Sequence, residues 1–158
     1  KPDMVTIVPE KRQELTTEGG LDVKTHAEGL KKFISHIKDA GIRVNLFIDP
    51  SPEAVKACHR IGSDGIEIHT GAYAGTREGQ VRAAELKRIY DTAVLSKRLG
   101  MRTHAGHGLD YYNILPVASI REIDEFAIGY SIISRAVYVG IEEAVREMKR
   151  LITEGSGR

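Results

Sequence analysis

The sequence has one cysteine, no long hydrophobic run and no excess of charge of either sign. With Cys58 alone, no disulfide can form within the chain, and the expected setting is the reducing cytoplasm. No apolar segment is long enough to span a bilayer, and the first residues, Lys1-Pro2-Asp3, do not resemble a signal peptide. These absences argue against a disulfide-stabilised secreted protein and against a membrane protein.

The charges nearly cancel: 23 Lys and Arg residues stand against 22 Asp and Glu residues, for a net charge of +1. Because basic runs are short as well, neither nucleic acid nor a membrane surface is expected as the main partner. The 158 residues are 41% hydrophobic and 28% charged. This balance predicts one soluble domain with enough apolar material for a sizeable core.

Strand patterns and helix patterns alternate along the chain. Strands are predicted over 4–8, 42–48, 66–71 and 126–130 and from 101 onward, and helices over 24–40, 52–61, 80–99, 113–120 and 141–152, with one more helix opening after 130. A glycine-rich loop, a candidate lid, is predicted between Gly71 and Gly79, and a frayed tail after the last helix. Such alternation indicates parallel strands joined by crossover helices in an α/β fold.

Two α/β architectures fit this order of elements. An open doubly wound sheet has the right element count, but Ala105-Gly106-His107-Gly108 lacks the third glycine of a dinucleotide-binding fingerprint. A (β/α)₈ TIM barrel fits better, because phosphate sites in that fold follow the last two strands. The chain would supply about five of the eight βα units, strands 4 to 8, as one domain over 1–158. The other three units are expected upstream of Lys1.

The predicted fourth strand runs into a loop in which His107 lies between Gly106 and Gly108. Glycines let the backbone approach a ligand closely and present bare N–H groups to an oxyanion. His107 is therefore a candidate catalytic acid or base. The alternative is an ordinary turn residue.

Glu67 and His69 lie two residues apart on the predicted third strand, so their side chains share a face. Ionisable groups on the inner face of a sheet are costly unless they are paired or used. Function is favoured over a buried glutamate held by a structural partner. Together with His104 and His107 they also allow a metal site for a hydrolase or isomerase.

Two further stretches are candidate ligand contacts. Thr16 and Thr17 follow the first strand, where their hydroxyls either contact a ligand or are solvated. The turn into the helix after Tyr130 is a candidate anion site, because the first N–H groups of a helix have no intrahelical partner.

Five segments resemble those of the pyridoxine 5'-phosphate synthase family, and the resemblance runs from near Lys1 to Arg150. They are Ile7-Val8-Pro9-Glu10-Lys11-Arg12-Gln13-Glu14, Thr16-Thr17-Glu18-Gly19-Gly20-Leu21-Asp22-Val23, Leu46-Phe47-Ile48-Asp49, Ile66-Glu67-Ile68-His69-Thr70-Gly71 and Ala105-Gly106-His107-Gly108-Leu109. The resemblance implies a (β/α)₈ barrel that condenses 3-amino-2-oxopropyl phosphate with 1-deoxy-D-xylulose 5-phosphate. The products are pyridoxine 5'-phosphate, inorganic phosphate and water. No cofactor or metal is implied, and the implied assembly is a homo-octamer.

By the same resemblance, His107 corresponds to the family's proton donor and Glu67 to the glutamate that stabilises charged intermediates. Gly108, Gly129 and Tyr130 correspond to the site of the amino-ketone phosphate. Thr16, or alternatively Thr17, corresponds to the threonine that contacts deoxyxylulose phosphate.

The sequence departs from the family pattern in three respects. Ala127-Ile128-Gly129-Tyr130 stands where Asn-Ile-Gly-His is usual, so Tyr130 cannot act as a second imidazole. His104 stands where asparagine is common. The family's other catalytic histidine and its glutamate base belong to the second and third strands, which these 158 residues do not include. A barrel that binds phosphate without turnover is therefore a second interpretation.

Overall fold

Five parallel strands form one sheet in the computed structural model, which describes residues 1–9 and 19–157. The strands are β1 (Met4–Ile7), β2 (Arg43–Ile48), β3 (Gly65–His69), β4 (Arg102–Gly106) and β5 (Glu125–Ala127). Each strand pairs in parallel with the next one in the chain, so the spatial order is the sequence order. This order is that of a TIM barrel, because the strand order of a doubly wound sheet reverses at a switch point. The sheet is part of such a barrel, as predicted.

Helices connect successive strands, and two more follow the last strand. The connecting helices are α1 (Ala27–Asp39), α2 (Pro52–Arg60), α3 (Gly71–Gly75), α4 (Gln80–Arg98) and α5 (Ile114–Ala118), and those after β5 are α6 (Tyr130–Val139) and α7 (Ile141–Ser156). No helix among residues 1–9 and 19–157 is both long enough and apolar enough to cross a membrane.

Local signals in the sequence fix several helix ends. The Ser51 side chain accepts a hydrogen bond from the backbone N–H of Ala54, and Pro52 occupies the first position of α2. Gly41, just after α1, has a φ of +68°, a conformation that glycine adopts without strain. Both features are local and can be recognised in the sequence.

The core lies between the sheet and the helices. Ile66 and Ile68 of β3 are fully buried on the helix side, together with Ile34 of α1, Val55 of α2 and Ile89 of α4. Cys58 of α2 is also fully buried, and burial raises the pKa of its thiol to about 12. Cys58 is therefore a core residue and not a candidate nucleophile, since a thiol of that pKa is a poor nucleophile.

The prediction of a loop over 71–79 is wrong for its first half, where the helix α3 forms. Tyr73 of α3 is 1% exposed, and its hydroxyl donates a 2.8 Å hydrogen bond to the carbonyl oxygen of Asn113. This long-range anchor stabilises a helical turn that the glycines alone do not favour.

Two predicted element ends also differ. The fifth strand ends at Ala127, and Tyr130 begins α6 instead of ending the strand. The predicted frayed tail is helical to Ser156. Gly155 packs tightly on α5, because a Cβ added there would lie 2.7 Å from the Cβ of Ala118.

The spacing of apolar residues along the helices predicts that Phe33 of α1, Tyr90 of α4 and Ile141 of α7 point inward. This prediction is wrong, because the three residues are 55%, 48% and 55% exposed. On α4 the buried positions lie in the C-terminal half of the helix and are Ile89, Thr92, Ala93 and Ser96.

Candidate active site

A cavity of about 770 Å³ opens where β3, β4 and β5 end. Its lining includes Glu67, His107, Gly108, Gly129 and Tyr130, five of the seven residues singled out from the sequence. Thr16 and Thr17 lie outside the described residues. The carboxyl ends of parallel barrel strands are where TIM-barrel active sites are built.

His107 has a backbone conformation that side chains other than glycine rarely adopt, with a φ of +80°. Thr70 holds this backbone: its Oγ1 lies 2.7 Å from the carbonyl oxygen of Gly106 and 2.6 Å from that of His107. The N–H of Thr70 donates to the same Gly106 oxygen at 2.8 Å. Backbone strain of this kind concentrates at functional sites, because surrounding contacts must maintain it.

The imidazole of His107 packs edge-on against that of His69, with ring centroids 4.8 Å apart. Partial burial lowers the pKa of His107, and the nearby His69 lowers it further. Both effects disfavour the charged imidazolium. When it is protonated, His107 is therefore a stronger acid than an exposed histidine.

Glu67 points into the same cavity from the middle of β3. Burial raises the pKa of its carboxyl, while a hydrogen bond from Thr6 and the charge of His104 act in the opposite direction. Gly106 leaves the space for this carboxylate, because a Cβ there would lie 2.9 Å from Oε1 of Glu67. A carboxyl held in this way is suited to stabilise a cation that forms in the cavity.

The loop that carries Gly108 is anchored from two helices. Gly108 has a φ of +74°, and a Cβ there would lie 2.7 Å from the Cβ of Ala74 in α3. On the other side, Asn113 donates from Nδ2 to the carbonyl oxygen of Gly108 at 3.0 Å and accepts from the N–H of Asp110 at 2.8 Å. The loop therefore presents its backbone to the cavity in a fixed conformation.

Gly129 and Tyr130 form the start of α6. No side chain caps this helix, so its first N–H groups have no side-chain partner. The Tyr130 side chain is 89% exposed at the cavity, and Ser131 donates to the carbonyl oxygen of Leu109 at 2.8 Å. The predicted turn that opens onto a helix is present and borders the cavity.

The four residues of the predicted metal site do not converge. His69 contacts Asp49 and His104 contacts Asn45, and neither histidine lines the cavity. Among residues 1–9 and 19–157, no group of three or more His, Cys, Asp or Glu side chains is placed to hold a metal ion. The hydrolase or isomerase interpretation is therefore not favoured.

Sequence reasoning missed the residues that support His107. Asp49 holds His69 through a 2.9 Å contact to Nδ1, and Thr70 holds the backbone of His107. Asp49 directly follows β2 and Thr70 directly follows β3. Polar residues just beyond a parallel strand were thus the signal that could have identified both.

The family model for the pyridoxal phosphate biosynthesis protein PdxJ matches residues 1–154 of the chain. The chain belongs to the PdxJ family. Similar proteins include the pyridoxine 5'-phosphate synthase of Syntrophotalea carbinolica, 57% identical over 152 residues, and that of Thermodesulfovibrio yellowstonii, 57% identical over 154 residues. These alignments cover 96% and 98% of the chain but 64% and 63% of the relatives. The chain thus spans slightly less than two thirds of their length.

Solved structures share the fold of this PdxJ-family chain at much lower identity. One is a chain of the Amycolatopsis orientalis BexX/CysO complex, with a TM-score of 0.51 and 11% identity, over 83% of this chain and 52% of that one. Another is a mandelate oxidase variant with 2-hydroxy-phenylacetamide, with a TM-score of 0.51 and 12% identity, over 80% of this chain and 36% of that one. At these identities the similarity concerns the fold alone.

Proposed function

We propose that the protein is a pyridoxine 5'-phosphate synthase that condenses 3-amino-2-oxopropyl phosphate with 1-deoxy-D-xylulose 5-phosphate, releasing inorganic phosphate and water. The observation that carries the proposal is the single cavity shared by Glu67, His107, Gly108, Gly129 and Tyr130 in a PdxJ-family chain. The names of the similar proteins support the same reaction.

The proposed roles follow from the chemistry of the cavity. Imine formation, dehydration and loss of phosphate each require protons to be delivered and removed, and His107 is an imidazole suited to that transfer. Glu67 stabilises the positive charge of an iminium intermediate. Gly108, Gly129 and Tyr130 bind the phosphate of the amino ketone, supported by the uncapped start of α6. Thr16 or Thr17 contacts deoxyxylulose phosphate. None of these steps calls for a metal or a redox cofactor.

The direct test is product formation by the purified protein. With both phosphorylated substrates present, pyridoxine 5'-phosphate and inorganic phosphate should appear in equal amounts, and neither substrate alone should give the vitamer. Binding of pyridoxine 5'-phosphate without product from the two substrates would contradict the proposal and favour a barrel that binds phosphate without turnover.

We also propose that the five strands are strands 4 to 8 of an eight-stranded barrel. Within the described residues, β1 and β5 each pair with one neighbouring strand, and the relatives are longer than this chain. The intact mass of the protein from its native source should exceed the 17.4 kDa of the chain by about three βα units. A mass of 17.4 kDa would overturn this proposal.

The assembled enzyme is proposed to be a cytoplasmic homo-oligomer, an octamer by resemblance to the family. Ile133, Val137 and Tyr138 of α6 support a covered surface, because these apolar side chains are 61%, 80% and 85% exposed. Light scattering of the purified protein should give the mass of an oligomer. A monomer at working concentrations would contradict this assignment.

A further inference from the structure

A second imidazole lies directly behind the proposed proton donor. His69, the last residue of β3, is 7% exposed, and its ring meets that of His107 at a centroid distance of 4.8 Å and an interplanar angle of 67°. The ring of Phe47 packs on His69 as well, at 5.0 Å and 48°. His69 is therefore fixed between a cavity residue and a core residue without lining the cavity itself.

Asp49 sets the orientation of the His69 ring. Its Oδ1 lies 2.9 Å from Nδ1 of His69. Because an ionised carboxylate only accepts hydrogen bonds, Nδ1 of His69 carries a hydrogen and donates the hydrogen bond to Oδ1 of Asp49. The side chain of Asp49 is 56% exposed, so this carboxylate links the buried imidazole to solvent from the neighbouring strand.

The other ring nitrogen of His69 is buried without a hydrogen-bond partner in the described part of the chain. Gly71 provides the space around it: a Cβ at Gly71 would lie 2.5 Å from Nε2 of His69 and 3.0 Å from Cδ2 of His107. An unsatisfied buried nitrogen costs free energy, and such atoms in native structures call for a functional reason. Here the nitrogen belongs to the ring that packs against the imidazole assigned to proton transfer.

We propose that His69, anchored by Asp49, is a positioning residue that fixes the imidazole of His107 for proton transfer. The inference rests on the proposed function, since it assigns a support to the donor of that reaction. A carboxylate that holds one imidazole in place is a recurrent way to fix ring orientation and tautomer. In this protein the oriented ring acts on a second imidazole through packing and charge instead of through a hydrogen bond.

The contact between Asp49 and His69 is tested by substituting Asp49, because its side chain is half exposed and its substitution leaves the core intact. Asp49→Ala removes the acceptor for His69, and kcat should fall by about tenfold while KM changes little, because substrate contacts are untouched. Asp49→Asn keeps an oxygen that accepts from Nδ1 and should restore most of the lost kcat. In NMR spectra, the Cε1–H resonance of His107 should shift in Asp49→Ala and remain near its original position in Asp49→Asn.

The ring itself is tested by His69→Asn, which keeps a donor toward Asp49 but removes the imidazole. The pKa of His107, followed by NMR titration, should rise, because the electrostatic effect of His69, which lowers it, is removed and water enters the vacated space. The alkaline limb of the kcat profile, where a proton donor is lost, should move to higher pH with it. His59→Asn, an exposed histidine of α2, is the matched control and should change neither quantity.

The proposal is overturned if Asp49→Ala and Asp49→Asn have equal kcat values, or if these variants lower only the melting temperature. Should His69→Asn fail to fold, the Asp49 pair decides alone. If the parent protein forms no product, the proposed function fails. The NMR comparison then still decides whether His69 and Asp49 fix His107: unchanged His107 resonances in Asp49→Ala would reject the inference.

Discussion

Two of the ionisable residues that line the cavity, Glu67 and His107, have pKa values shifted in the directions that favour their neutral forms. Burial raises the pKa of Glu67 and lowers the pKa of His107. Without substrate, burial therefore disfavours a charge on either of these two side chains. A cationic intermediate beside Glu67 would reverse this preference and draw its carboxyl into the ionised form. The electrostatic stabilisation then appears when the positive charge develops, which is where it lowers a barrier.

The free energy of unfolding should depend on pH because Glu67 is buried. Because its folded pKa is raised, the folded state holds this proton more tightly than the unfolded state does. Its contribution is therefore fully present below the ordinary carboxyl pKa and is lost as the pH rises through the folded pKa. Glu67→Gln has no such titration, so the unfolding free energy of the parent should fall relative to this variant over that range.

Urea unfolding at several pH values from about 4 to about 7.5 measures this difference, since that range starts near the ordinary glutamate pKa. Glu78→Gln is the matched control, because the Glu78 side chain is 94% exposed. The difference in unfolding free energy between Glu78→Gln and the parent should not change with pH. Parallel pH curves for the parent and Glu67→Gln would contradict the raised pKa.

At the scale of elements, local patterns predict most of the helices and strands, because alternation along β3 and the caps of α2 are local signals. They do not predict α3, because its glycines favour a loop. The helix is stabilised by the hydrogen bond from Tyr73 to Asn113, 40 residues away in the chain. Local patterns likewise do not predict the contacts that support His107. Asp49 and Thr70 follow different strands from His107, and only the parallel pairing of β2, β3 and β4 brings them together.

The junction between β3 and β4 depends on one hydroxyl group. Thr70→Val keeps the shape of the side chain but removes the hydroxyl near the carbonyl oxygens of Gly106 and His107. The carbonyl oxygen of His107 would lose this donor, whereas that of Gly106 keeps the N–H of Thr70, and the loss should lower the unfolding free energy by about 1–3 kcal/mol. Product formation should also slow, because the strained backbone of His107 loses its support. Thr70→Ser keeps the hydroxyl and should remain closer to the parent in both measurements; equal values for Val and Ser would contradict this role.

At the scale of the molecule, the sequence predicts the α/β class, the parallel strand sense and the barrel order, because five βα repeats allow few topologies. Resemblance to the family supplies the candidate residues, and the described structure gathers Glu67, His107, Gly108, Gly129 and Tyr130 around one cavity. The contacts of His69 with Asp49 and with His107 could not be derived from spacing. They depend on side-chain packing between strands that lie far apart in the chain.

The most direct measurement of the central claim is the rate of pyridoxine 5'-phosphate formation by His107→Asn and by His59→Asn. Loss of a positioned general acid should lower kcat by about 10²- to 10⁴-fold in His107→Asn. His59→Asn, on the exposed face of α2, should retain the parent rate. A His107→Asn variant that keeps the parent rate would show that proton transfer does not depend on this cavity residue, and would contradict the account.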